Sequence, residues 1–297
     1  MGNPFGPLTL IADAASASAL PAIERTLAAL GIEHRSSVAE SSPDAVRLAS
    51  GALSSGGRFV VAVGGDAVTH DVVNGMFAAA DLPEPPVLGV VPAGIDNAFF
   101  RQFGLPVDAE RAAGNLAGDE VYPIDVGALT CSTTAGGEGS AFVTNLVEIG
   151  LHARLAPWTA GESRARTFGR FWKAVLSSRS STVHVNAAKL VHDGTAWSIV
   201  IGNGRFGAGG FRVSPRAFPG DGVLEVLVHH GPRSSAFTSL PKAIRGEQVP
   251  SPHIRELRGN RVRVEADPPM PVAVDGRPFG RTPVTVDVLH RALLLKI

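Results

Sequence analysis

One change of rhythm constrains this chain more than any other feature. Up to about residue 121, short apolar runs alternate with helix-length stretches; from Tyr122 onward, strand-like runs follow one another with little between them. The early runs are LTLIAD (8–13), RFVVAVGG (58–65) and VLGVVPAG (87–94), with helical patterns from Ala19 to Leu30 and from His70 to Ala80. Strand-length runs spaced by helices are the pattern of βαβ units, whose crossovers require a parallel sheet. The later runs include YPIDVGAL, SAFVTNLVEIG, TVHVNAAKLVHD, AWSIVIGNG, GVLEVLVHH, NRVRVEA, PMPVAVDG, TPVTVDVL and ALLLKI, separated by Gly, Pro and Asp. Such punctuation belongs to an antiparallel sandwich or barrel. The reading is therefore an N-terminal α/β domain over 1–121 with a parallel sheet, and a C-terminal β-sandwich-like domain over 122–297. The last strands are candidates for packing back toward the first domain.

A length of 297 residues, 44% of them hydrophobic, accommodates two cores without disulfides. Lys+Arg and Asp+Glu each total 27, so no net charge draws the chain to nucleic acid. The single cysteine, Cys131, forms no internal disulfide, and a reducing, cytoplasmic setting fits. No apolar run reaches the roughly 18–20 residues of a membrane span, so integral membrane association is not expected. The opening MGNPFGPLTL lacks the basic region and long apolar stretch of a secretion signal, and Gly6 stands where a myristoylation motif needs Ser or Thr. Over Arg164 to Leu176, Arg166, Arg170 and Lys173 share one helical face and Phe168, Phe171, Trp172 and Val175 another. That pattern fits an ordinary amphipathic surface helix and also one resting on lipid. His229 and His230 are adjacent, hence on opposite faces of a strand, and no dedicated metal is expected. Homodimerisation is left open.

The strongest local feature is VVAVGGDAVTHDVVNGMF (60–77), a buried strand that ends in Gly64-Gly65-Asp66 where a helix begins. Glycines at such a turn let the backbone approach a ligand, and the helix N-terminus favours an anion. It is followed by LGVVPAGIDNAFFRQFGLP (88–106), YPIDVG (122–127), FVTNLVEIG (142–150), IGNGRFGAGGFRVSPRAFPGDGVLEV (201–226) and VAVDGRPFGRTPV (272–284). In this order, from about residue 8 to 297, these segments resemble the diacylglycerol kinase and sphingosine kinase superfamily, particularly its bacterial soluble lipid kinases. The resemblance implies a nucleotide-binding α/β domain, a β-rich domain and an active-site cleft between them. It also implies that ATP and Mg²⁺ serve to phosphorylate a lipid hydroxyl.

Departures from the family pattern point elsewhere. GGDGT is replaced by Gly64-Gly65-Asp66-Ala67-Val68, and a Cβ at position 67 costs on the order of 1–2 kcal/mol if the backbone needs positive φ. GTGND becomes Gly94-Ile95-Asp96-Asn97-Ala98; a carboxylate beside phosphate at ~5 Å and an effective dielectric near 20 costs roughly 3 kcal/mol. The NPxSG-type loop is replaced by Ala12-Asp13-Ala14-Ala15-Ser16, DGE by Asp275-Gly276-Arg277, and DDG by Gly220-Asp221-Gly222. Together these predict degenerate nucleotide motifs, no cofactor, and acid/base chemistry such as cyclisation, dehydration or isomerisation on a hydrophobic, hydroxylated small molecule. An ATP- and Mg²⁺-dependent lipid kinase is the first alternative, and a non-catalytic lipid or metabolite binder the second.

Under the main reading, Asp66, His70, Asp96, Glu148 and Asp275 carry the chemistry, Asp96 or Asp275 as base and His70 or Glu148 as proton donor. Asn97, His152, Asn203, Arg205, Phe206 and Arg277 contact substrate. Under the kinase alternative, Gly64, Gly65, Asp66 and Gly94 bind nucleotide and Asp221 the metal. Plainer roles compete: Asp66 and Asp96 as helix caps, His70 as a solvated first-turn residue, and Asp221 and Arg277 as turn residues.

Overall fold

The structure is a computed structural model that describes residues 3–79, 83–93, 98–133, 136–155, 173–207 and 211–297. The chain forms two compact units, one of residues 1–124 with 291–297, the other of residues 125–290.

In the first unit, β1 (Leu8–Asp13), β2 (His34–Ala39), β3 (Phe59–Gly64) and β4 (Val87–Pro92) make a parallel sheet in the order β2-β1-β3-β4. The end of the last strand, β15 (Arg277–Lys296), joins it, with Leu294 and Leu295 parallel to Val87 and Leu88. Every residue of β3 and β4 is buried, as expected of parallel strands covered on both faces. The covering helices are α1 (Leu20–Ala29), α2 (Ser42–Ser54), α3 (Asp66–Ala78), the short α4 (Ala98–Arg101) and α5 (Ala109–Gly114). In α2 the buried residues Ala45, Ala49 and Leu53 recur every four positions, which puts them on one face. Against that helix, α3 approaches so closely that a Cβ on Gly75 would lie 2.3 Å from the Val46 carbonyl oxygen. Here β2 and α2 are additions to the sequence reading. β2 is an edge strand whose HRSSVA sequence buries only its last residue, so it carries no apolar run.

The second unit is antiparallel. One layer runs β12 (Ile254–Gly259), β11 (Leu224–His229), β10 (Ser198–Gly202), β7 (Leu146–Gly150), β14 (Pro271–Val274) and β15. The other carries β9 (Leu190–Ala196), β8 (Ser181–Ala187) and β13 (Arg261–Asp267), the last paired with β15. β5 (Val121–Thr133) and β6 (Glu138–Val143) pair with each other, and β5 also with β15. Thus β15 is one continuous twenty-residue strand, where TPVTVDVL and ALLLKI read as two. In β8, Ser181, Val183, Val185 and Ala187 alternate inward, while β7, β10 and β11 are buried throughout. The reason is a second cover. One face packs on the shared aliphatic core of Val147, Ile149, Ile199, Ile201, Val226 and Val228. The other is met by α6 (Leu151–Leu155), α7 (173–177) and α8 (Ser235–Arg245), which bring Leu151, Ala174, Val175 and Ala236 onto Trp197. The greater part of the Arg164–Leu176 amphipathic pattern lies outside the described residues.

Candidate functional site

In the first unit, the fully buried β3 ends at Gly64, and α3 begins two residues later. Gly64 has φ +148°, and a Cβ there would lie 2.6 Å from Val68 Cγ1 and 3.0 Å from Ser16 Oγ. Only glycine meets both demands. The turn thus brings backbone N–H groups and the α3 N-terminus to one place, an arrangement suited to phosphate. Gly64→Ala is expected to destabilise the fold by about 2 kcal/mol through strain and contact. Thermal denaturation checks this against Gly51→Ala, whose Cβ would meet nothing within 4 Å.

Asp66 opens α3 but caps a different helix: Oδ2 accepts the Ala98 N–H at 2.8 Å and Oδ1 the Phe99 N–H at 3.0 Å, at the start of α4. It thereby holds the start of α4 beside the glycine turn. The loop after β1 closes on itself, with Ser16 N donating to Asp13 Oδ1 at 2.8 Å and Ser16 Oγ reaching the Ala93 carbonyl at 3.3 Å. His70 is buried on α3, where Asn74 Nδ2 donates to its carbonyl at 2.9 Å. Asp71, also buried, accepts the Ser42 hydroxyl at 2.7 Å and ties α3 to α2. Gly94, Asp96 and Asn97 lie outside the described residues.

The second unit gathers its polar groups around Asp275. This residue adopts φ +46°, and its carboxylate accepts from Thr144 N, Thr144 Oγ1, Asn145 N and Leu146 N at 2.9–3.0 Å. With these donors in place it anchors the turn that enters β7. Two residues into that strand stands Glu148, buried and paired in register with Ala273 and Val200. It accepts the Gly276 N–H, while its Oε2 is buried without a hydrogen-bond partner. Burial first, and then the neighbouring Asp275 charge, push its carboxyl up to about 8. Glu148 therefore holds its proton far more readily than an exposed carboxyl.

Asn203 ties this turn to β5, since its Nδ2 donates to the Asp125 carbonyl at 2.9 Å and to that of Thr144 at 2.8 Å. The Asn145 amide in turn donates to the Phe206 carbonyl. Arg205 Nε donates to the Ala217 carbonyl at 2.9 Å, and Arg277 sits partly buried at the start of β15. Buried Glu225 pins the same loop through Ser214 Oγ at 2.6 Å and Arg216 N at 3.0 Å. Asp221 pairs with Arg258 at 2.7 Å. His152 lies one strand-end away on α6, bonded to Ser198 Oγ at 2.7 Å. The structure thus brings Glu148, Asn203, Phe206 and Asp275 into one hydrogen-bonded neighbourhood, and places Asp66 and His70 in the other unit.

Sequence reading missed Asp125, wholly buried, whose carboxylate accepts from His290 Nδ1 at 2.8 Å and Gly222 N at 2.7 Å. The signal available was a lone acid inside the apolar run YPIDVGAL. Among the described residues no group of three or more His, Cys, Asp or Glu is arranged to hold a metal by itself. Nor is any helix among them long and apolar enough to cross a membrane.

Comparison with known proteins bears directly on this geometry. Residues 10–129 match the diacylglycerol kinase catalytic domain, and residues 158–296 match the YegS C-terminal NAD kinase beta sandwich-like domain. A diacylglycerol kinase of Bacillus subtilis is 26% identical over 237 residues, covering 78% of this chain and 75% of that protein. One from Mycobacterium tuberculosis is 27% identical over 262 residues, covering 84% and 80%. A solved diacylglycerol kinase from Bacillus anthracis superposes with a TM-score of 0.74 over 99% of this chain and 97% of that one, at 18% identity. These matches overturn the expectation of cofactor-free cyclase, dehydratase or isomerase chemistry, and with it the expectation of no cofactor. The physical premise fails as well. Ala67 lies exposed inside the right-handed α3 and not at positive φ, so its Cβ carries no strain; the demanding position is Gly64, which is a glycine. With both domains matched and the fold in agreement, the chain belongs to the diacylglycerol kinase and YegS-type lipid kinase superfamily, a family of enzymes.

Proposed function

We propose that this protein transfers the γ-phosphoryl group of Mg·ATP to the hydroxyl of a neutral lipid alcohol of the diacylglycerol class. The observation that carries the reading is the β3–Gly64–Gly65–α3 turn, in which Gly64 at φ +148° brings backbone N–H groups and the α3 N-terminus to one place. The names of the relatives supply the acceptor class.

The residues fit the cofactor. Gly64, Gly65 and the first turn of α3 offer backbone N–H groups to phosphate, and Asp66 adds a carboxylate beside them. A magnesium ion carried on nucleotide phosphates needs only one or two protein carboxylates, so a prebuilt cage of acids is not required. Asp66 would hold it. Bound Mg·ATP supplies the phosphoryl group and neutralises charge on its oxygens.

The chain's own residues do the rest. Asp66 keeps the start of α4 fixed to the glycine turn. Asp275 fixes the entry to β7 and so the placement of Glu148. Glu148, with one oxygen on the Gly276 N–H and the other unpartnered, is the group suited, in its ionised form, to accept the proton that the acceptor hydroxyl gives up as its oxygen bonds to phosphorus. A carboxyl pushed up to about 8 is well matched to that task near neutral pH.

A calorimetric titration with Mg·ATP, paired with thermal denaturation, tests the nucleotide half of the reading. Saturable binding is expected, with about 2.7 kcal/mol of added stability at a hundredfold excess over Kd. The absence of both heat and thermal shift at millimolar nucleotide would contradict it.

A further inference from the structure

Asp125 of β5 is wholly buried, and the chemistry proposed above makes no use of it. Its Oδ2 accepts the Gly222 N–H at 2.7 Å, and its Oδ1 lies 2.8 Å from Nδ1 of His290, near the end of β15. An ionised carboxylate only accepts, so Nδ1 carries the ring proton. In the neutral ring Nε2 is then left with its lone pair. Gly222 gives the imidazole its seat: at φ +76° it has no side chain, and a Cβ there would lie 3.1 Å from His290 Nδ1 and 3.4 Å from Cε1. The Gly220-Asp221-Gly222 turn thus serves this contact as well as the Asp221–Arg258 pair.

The two partners face different surroundings. The Asp125 side chain is 0% exposed, whereas that of His290 is 52% exposed and within reach of a small solute. A carboxylate behind an imidazole fixes its tautomer and raises the basicity of the outer nitrogen. Because Asp125 is buried, its charge is little screened and offsets the positive charge that forms on the ring when Nε2 bonds to an electrophile. A tie between strands alone would need one donor, which an amide side chain also supplies. The chain contains its own comparison. His184 Nδ1 lies 2.6 Å from Asp193 Oδ1, but that carboxylate side chain is 73% exposed, and water screens it.

We infer that Nε2 of His290 is a phosphoryl-acceptor site, at which the chain carries a phosphohistidine. The Nε2 lone pair forms the bond to phosphorus while the bond from phosphorus to the leaving group breaks and keeps its electron pair. From phosphoramidate the leaving group departs as ammonia, and from Mg·ATP as ADP. Nδ1 keeps its proton throughout, held by Asp125, whose charge balances the phosphorylated ring. Phosphoramidate probes the acceptor by itself; transfer from Mg·ATP rests on the lipid-kinase reading.

The test incubates the full-length protein with phosphoramidate and, in parallel, with Mg²⁺ and ATP labelled in the γ-phosphate, without lipid. Peptide mapping at alkaline pH, where phosphohistidine survives, locates the phosphate. Phosphoramidate is expected to modify His290 at least about tenfold faster than His184. His290→Gln, whose amide can still donate to Asp125, should match the wild type in thermal denaturation and lose the fast reaction while His184 keeps its slow one. Label at His290 from Mg·ATP as well names the nucleotide as the source, and label from phosphoramidate alone names a free small donor; either supports the site. No phosphate on His290 from either donor overturns the proposal, and so does a His184 rate equal to that of His290. Calorimetry that finds no Mg·ATP binding would instead overturn the kinase reading, and the phosphoramidate comparison would still decide the site.

Discussion

Replacing Asp275 with alanine is expected to cost the folded state on the order of 4–6 kcal/mol, the larger part of a typical domain's stability. The carboxylate accepts three backbone N–H groups and one hydroxyl, all from Thr144 to Leu146. Alanine leaves those donors unmet in a part-buried turn, at about 1–3 kcal/mol for each that water does not reach. It also places an ordinary residue at φ +46°, adding roughly 1 kcal/mol. Asparagine tolerates that φ but turns an amide toward donors on one side, so Asp275→Asn should recover only part of the loss. Urea denaturation monitored in the second unit measures both variants. A loss below about 1 kcal/mol for Asp275→Ala would show that the four bonds are not the anchor described.

Glu148→Gln is expected to move stability and activity in opposite directions. The sign follows from proton counting. The folded carboxyl titrates near 8 and an unfolded one near 4.5, so between those values the folded state holds a proton that the unfolded state has released. Stability contributed at this site therefore falls as pH rises from 4.5 to 8, by about 1.4 kcal/mol per pH unit, and is fully present below 4.5. Glutamine is neutral throughout and removes that slope. At pH 8 the variant should be more stable than wild type by roughly 3–4 kcal/mol, and at pH 4.5 nearly equal to it. Under the proposed function the same change removes the proton-exchanging group and should lower kcat by about a hundredfold or more. Denaturation curves at the two pH values, alongside turnover at pH 7.5, separate the two effects. A wild-type stability that does not fall over this range relative to the variant would contradict the buried, raised carboxyl.

What could be read in advance follows the physics of each signal. LTLIAD is β1 to the residue, and RFVVAVGG and VLGVVPAG hold β3 and β4, because strands buried on both faces must be continuously apolar. β2 left no such trace, since its HRSSVA residues lie largely outside the core. The glycine turn was legible because strand, Gly-Gly and helix are contiguous. The partners of its acid were not: Asp66 caps a helix that begins 32 residues later. Likewise Asp275 stood out as an acid in a turn, but its donors come from 129–131 positions upstream, and nothing local marks them. Glu148 and His152 were visible as polar residues on either side of the strand-end Gly150. In the fold Glu148 is buried, because α6 covers β14 and β7 where a bare sheet would have faced water. The argument against ATP misplaced the strain, since a motif alignment gives no φ: Ala67 is helical, and Gly64 is the residue that needs to be a glycine.

The most direct test of the account is phosphate transfer itself. Purified protein, Mg²⁺ and ATP labelled in the γ-phosphate are incubated with diacylglycerol in mixed micelles, and the organic phase is counted. The account predicts label in a lipid phosphate monoester, dependent on Mg²⁺ and lost in Glu148→Gln. A labelled organic phase that never rises above the protein-free control, while Mg·ATP and the lipid each bind, would contradict it.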